Sequence, residues 1–277
     1  MISENDIAVI DFTRTPITGT VSIKLVRVIA PMEARVRIEK DGMRYDYRLR
    51  TDLYSDLYPL QMGDGEYSIR VLLGPSPDGE GRYAVGFAGK YNLRLTNPHA
   101  VFLNPNQFVH YSPDMRAIRA AAELCKGRLR DFSKVQAIYS YIIKILDYDM
   151  NKANRVLRGE MAGYIPDIDD TLSSGQAICF GYSVLFAAML RSQGIPCKLV
   201  MGNVTNPDPK ASKGSTVYHA WNEFYVREPE EFNINKMMFR GNRWNRVDLT
   251  FYDSAGGSKE VMDFTADDRN YMKTREY

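Results

Sequence analysis

The stretch SSGQAICFGYSVLFAAMLRSQGIPCKLVMG, Ser173 to Gly202, holds the longest near-continuous apolar run of the chain, Ile178 to Leu190. It falls well short of the roughly 20 residues a bilayer crossing requires, and it contains Gly181, Tyr182 and Ser183. It therefore reads as a core helix, stopped by Gly194 with Pro196 two residues on. The same stretch places Cys179 where a loop turns into that helix and Cys197 just past its end. Free cysteine is among the residues most often buried, so position, not residue type, decides whether either thiol has a chemical role.

Around this helix the chain has two textures. From Ile7 to about Leu95 it consists of short β-branched and aromatic runs: TVSIKLVRVI, ARVRIEK, MRYDYRLR, GEYSIRVLL and KYNLRL. The turn signals KDG, GDG and SPDGEG separate them. In ARVRIEK, Val36 and Ile38 face one way and Arg35, Arg37 and Glu39 the other, which predicts an antiparallel sandwich or small barrel. After the Pro- and Asn-rich connector NPHAVFLNPNQFVHYSPD, apolar residues recur at three- and four-residue spacing in DMRAIRAAAELCKGRL and FSKVQAIYSYIIKIL. The boundary is expected near residue 110, giving a β-rich sandwich-like domain over 1–110 and a second domain over 111–277. In the second, NKANRVLRGEMAGYIPDIDDTLSSG reads as a polar loop, and CKLVMG, VYHAWNEFYV and RWNRVDLTF read as strands. Helices first and strands later make the fold class α+β.

Charge and cysteine usage exclude several functions. Lys plus Arg number 36 against 34 Asp plus Glu, a net +2 that steers neither nucleic acid nor a membrane surface. The 277 residues are 44% hydrophobic and 25% charged, the make-up of a globular chain. The N-terminus MISENDIAVIDFTRTPITG lacks the basic leader and apolar core of a signal peptide, so no export signal is expected and location stays open. Three cysteines without a CxxC argue against a disulfide scaffold or a structural zinc site. The aspartates of PDIDDTL lack EF-hand spacing and its Gly, so no metal or other cofactor is expected.

Cys179 falls in the first turn of its helix, where unpaired backbone N–H groups and the macrodipole favour a thiolate. A buried structural thiol is the competing reading. Cys125, late in a helical run, and Cys197, opening an interior strand, are explained by packing. A thiol nucleophile needs a base, and there are three histidines. His99 and His110 lie in the connector and suit surface roles, whereas His219 sits inside VYHAWNEFYV, as a base or as a core histidine bonded to a carbonyl. Asp248 in RWNRVDLTF could hold the imidazole if its strand pairs beside that of His219; otherwise it is a strand-end turn residue. Asp253 competes with it, but FYDSAGG reads as a turn beyond the strand.

Taken in order, DYD at 147–149, GYIPDIDDTL, GQAICFGYSVLFAAMLRSQGIPCKLVMGN, YHAWNEFYV and RWNRVDLTF resemble the transglutaminase-like superfamily across roughly Asp131 to Phe251. The resemblance implies a papain-related core of helices on an antiparallel sheet, with Cys179 as nucleophile, His219 as general base and acid, and Asp248 as orienting carboxylate. It also implies an upstream oxyanion donor, for which Tyr148 is the candidate; Gln176 is too close to the thiol for that role and shapes the turn instead. The chain departs from bacterial relatives, which commonly carry Gly before IC and Asp two residues after the Cys, where Ala177 and Gly181 stand here, and DPT where Leu249 gives DLT.

The activity so implied is thiol acyl transfer on peptide or carboxamide bonds, with hydrolysis by a protease or amidase favoured over protein crosslinking. The partner is a protein or peptide substrate, cell-wall peptide included. The alternative is a non-catalytic protein- or cell-wall-binding module that retains the fold, in an exported or surface protein of the kind the family suggests. The loops 204–216 and 227–242 bracket the His219 strand. The first is expected to border the cleft; the second, with Phe232, Ile234, Met237, Met238 and Phe239, to pack as a hairpin extension rather than as an acyl-donor wall.

Overall fold

A computed structural model describes residues 1–27, 33–74, 82–207, 210, 212–254 and 258–277, with the backbone alone for 252–254. They form two compact units, Met1–Gln107 and Phe108–Tyr277. The turn expected at SPDGEG lies outside the described residues.

The first unit carries two antiparallel four-stranded sheets. One has the order β1 (Ile2–Glu4), β2 (Ala8–Asp11), β3 (Thr20–Leu25), β6 (Asp56–Pro59); the other runs β5 (Met43–Leu49), β4 (Glu33–Lys40), β7 (Gly65–Gly74), β8 (Ala84–Leu93). A short helix, α1 (Thr15–Thr18), joins β2 to β3. Along β4 the alternation is realised as buried Ala34, Val36 and Ile38 against more open Arg35, Arg37 and Glu39. The β4–β5 hairpin turns on Asp41 and Gly42, both at positive φ (49° and 78°), as a turn matched to strand twist requires. The inner faces meet through aromatics such as Tyr47 of β5 and Tyr58 of β6, 5.7 Å apart edge to face.

The second unit is built round α6 (Cys179–Ser192), buried from Gly181 to Arg191. One side packs on β11 (Cys197–Thr205) and β12 (Thr216–Tyr225), the other on α2 (Arg116–Cys125), α3 (Asp131–Ile145) and α5 (Ile168–Ser174). Phe186 meets Tyr139 of α3 and Phe224 of β12 edge to face, at 6.5 and 6.3 Å. Side chains of this size each contribute on the order of 2 kcal/mol by leaving water. The sheet is antiparallel, in the order β15 (Trp244–Val247), β12, β11, β16 (Tyr271–Glu276). The fully buried Asn222 of β12 donates to Ser183 O of α6 (2.9 Å) and Lys198 O of β11 (3.0 Å), fixing helix and sheet in register. Phe232, Ile234 and Phe239 are core residues of the hairpin β13 (Glu231–Ile234)/β14 (Met237–Arg240), packing rather than forming a wall.

Two readings need correction. The stretch expected as one polar loop contains α4 (Met150–Leu157) and α5. Asp149 caps α4 by accepting from Lys152 N (2.8 Å), and Asp167 caps α5 by accepting from the N–H groups of Asp169 and Asp170. Asp169 in turn accepts from the first N–H groups of α2, Arg116 and Ala117, at 2.9 and 2.8 Å. Two of the three acidic residues of PDIDDTL, Asp167 and Asp169, are thus helix caps. The strand read in RWNRVDLTF stops at Val247, and Leu249–Ser254 form α7, so the start of FYDSAGG is helical; the rest of it and the Asp253 side chain lie outside the described residues. The helix α8 (Lys259–Ala266) and β16 complete the unit. No helix among the described residues is long and apolar enough to cross a membrane.

Candidate active site

Cys179 opens α6. Its N-cap is Ile178, extended at φ −94° and without a side-chain acceptor, so no capping side chain competes for the first-turn N–H groups. The approach to it is fixed by β10 (Gln176–Ala177), which pairs in parallel with β9 (Asp147–Tyr148) and sets Tyr148 opposite Ala177. Asp147 N donates to Gly175 O (2.8 Å) and Asp149 N to Ala177 O (2.9 Å). The Tyr148 side chain consequently reaches the pocket that Cys179 and His219 also line. Gln176 is exposed on this ladder.

His219 lies on β12, opposite Gly202 of β11, and is only 7% exposed. Its Nε2 is 2.8 Å from Asp248 Oδ2. The two are not cross-strand partners: Asn222 pairs with Val247 at the end of β15, so Asp248 is the first residue past the ladder, reaching His219 diagonally. With Nε2 engaged, Nδ1 is the nitrogen left for Cys179, which lines the same pocket as the ring. Phe251 stacks on the imidazole at 4.8 Å, and Trp221 is 6.4 Å away on the same strand.

Asp248 is 2% exposed and fully hydrogen-bonded. Oδ2 accepts also from Tyr271 OH of β16 (3.0 Å), and Oδ1 from Thr250 Oγ1 (2.7 Å) and Phe251 N (3.3 Å). Burial works to raise its pKa, but the His219 charge and these donors outweigh it, so the carboxyl stays below the usual aspartate range. For His219 burial opposes protonation; Asp248 and then Cys179 overcome that and push it up to about 10. Burial, reinforced by Cys179, pushes Tyr148 up to about 12, so its hydroxyl remains a donor near neutrality. Cys125 and Cys197 lie in the core, 5% and 0% exposed, and burial raises both, Cys197 to about 12. Among the described residues no group of three or more His, Cys, Asp or Glu could hold a metal ion.

Thr250, Phe251 and Tyr271 were not singled out from the sequence. Thr250 and Phe251 had a faint signal, following Asp248 directly; Tyr271 had none, because its strand lies 23 residues away and enters the sheet through β11.

A helix-borne thiol and a strand-borne imidazole lining one pocket, with a buried carboxylate hydrogen-bonded to the imidazole, are the layout of papain-like cysteine hydrolases and acyltransferases. The sequence profile of the transglutaminase-like superfamily matches residues 118–249, the segment that holds Cys179, His219 and Asp248. No curated protein is similar enough to match the chain. Similar solved structures include a candidate cysteine protease from Cytophaga hutchinsonii, with 15% identity, TM-score 0.41, and 90% of this chain covering 68% of that one. A candidate protease from Parabacteroides distasonis has 15% identity and TM-score 0.32, with 79% and 41% of the two chains covered. Red sea bream transglutaminase has 12% identity and TM-score 0.31, with 87% and 50% covered. The chain thus spans half or less of the last two.

Proposed function

We propose that the protein is a thiol acyl-transfer enzyme acting on peptide or carboxamide bonds of a protein or peptide substrate, cell-wall peptide included, and that water is the usual acceptor. The supporting observation is that Cys179, His219 and Tyr148 line one pocket while His219 is hydrogen-bonded to the buried Asp248. Cys179 sulfur attacks the carbonyl carbon, with Tyr148 and the first backbone N–H groups of α6 taking up the charge that develops on oxygen. The C–N bond breaks as His219 passes its proton to the departing amine, leaving a thioester. Water then attacks that carbonyl while His219 takes its proton; the S–C bond breaks and the thiol is restored. An amine in place of water would make a crosslink.

The test is turnover of a peptide or carboxamide library by the parent and by Cys179→Ala, His219→Ala and the double variant. Groups acting as a unit lose activity non-additively, so the three variants should be about equally inactive. A His219→Ala protein turning over at the parent rate would sink the mechanism.

A further inference from the structure

The cavity over Cys179 and His219 has a volume of about 450 Å³ and is apolar. One wall is α4. Met150, Ala153 and Leu157 recur at three- and four-residue spacing and so share a face of that helix, which lines the cavity. Ile178, Val217 and Phe251 add further apolar lining. Among the described lining residues there is no carboxylate, lysine or arginine. The charged residues of α4 point elsewhere: Lys152 pairs with Asp149 (3.4 Å) and Arg155 with Glu160 (3.5 Å).

α4 buries none of its side chains, and Met150 and Leu157 are 62% and 82% exposed. A helix that packs nothing into the core, yet turns an apolar stripe toward a nucleophile, gains its buried area from what enters the cavity. A charged side chain placed there would lose hydration with no counter-charge to meet it. Building on the acyl-transfer reading above, we infer that the acyl donor carries a large apolar side chain, of leucine or phenylalanine type, next to the carbonyl that Cys179 attacks, and that α4 selects it.

The experiment compares N-acetyl chloromethyl ketones of Leu, Phe, Gly, Asp and Lys, each of which alkylates a thiolate with loss of chloride, and follows the rate at Cys179 by mass spectrometry. One large apolar group in a fitted pocket is worth about 10-fold or more in selectivity. The Leu and Phe reagents should therefore outrun those of Asp and Lys by at least about that factor. In Leu157→Asp, a change at an exposed position, the Leu-to-Lys rate ratio should fall by about 10-fold or more; circular dichroism would confirm the fold. Iodoacetamide, which carries no side chain, separates the two ideas. If it labels Cys179 ahead of Cys125 and Cys197 while the five ketones react alike, or the ratio ignores Leu157→Asp, the substrate class is wrong and the enzyme reading survives. If iodoacetamide shows no preference for Cys179, both fall.

Discussion

Replacing Asp248 by Asn should collapse the raised pKa of His219. The imidazole is held at about 10 against an ordinary 6.5, although burial alone would lower it. At about 1.4 kcal/mol per pKa unit, that difference is worth on the order of 5 kcal/mol between the two protonation states. Asp248 is the largest of the causes raising it, and an adjacent opposite charge accounts for roughly 1–3 units. Asp248→Asn keeps the size of the side chain but not its charge, so His219 should titrate lower by at least about 1 unit. With only three histidines, the ring signals can be assigned by single substitutions and followed by NMR. The same change should appear in stability. The raised His219 contributes fully below pH 6.5 and loses its contribution as pH rises through about 10. The depressed Asp248 contributes fully above 3.8 and loses its contribution as pH falls through its lower folded value. The parent-minus-variant Tm difference should therefore be largest between about pH 4 and 6.5 and shrink toward pH 10. A His219 that titrates identically in both proteins would refute the account of the pair.

Alkylation near pH 8 should strike Cys179 well ahead of Cys197: at a pKa of about 12, Cys197 is thiolate to only about 1 part in 10⁴, and it has no solvent access. Equal labelling in the folded protein, read by peptide mapping, would count against the assignment. Tyr148→Phe should cost about 10²-fold in turnover with little change in KM, as loss of one oxyanion donor does; an unchanged kcat would remove Tyr148 from the site. Gly181→Ala should destabilise the fold by roughly 1–3 kcal/mol in denaturant titration, and Ala177→Gly in the same chain should restore most of it; additive effects would show that the two positions do not interact.

The α+β class and the central helix were legible because they rest on strong local patterns. A helix apolar on every side has to be buried, and β4 alternates with period two. α4 and α5 were missed for the opposite reason. α4 buries nothing, and its apolar residues are dispersed among Asn, Lys and Arg; α5 is a single short element whose capping aspartates look like loop composition. Cys179 and His219 stood out by position, a thiol in the first turn of a helix and a histidine inside a strand, although packing could also account for each. The support of Asp248 could not be read in the same way, since Tyr271 reaches it through strand order, a property of the whole sheet and not of any stretch of it.

The pair Ala177 and Gly181 has a physical reading of the same non-local kind. An added Cβ at Gly181 would lie 2.8 Å from the Ala177 Cβ, closer than two such carbons approach. The methyl group of Ala177 already occupies that gap, so the later position is left to glycine. The gap lies where β10 passes into α6, a turn that contains Cys179. A side chain at 181 would push against the strand that sets Tyr148 and the thiol side by side. Ala177 and Gly181 are thus coupled through one contact, which preserves the turn that presents Cys179.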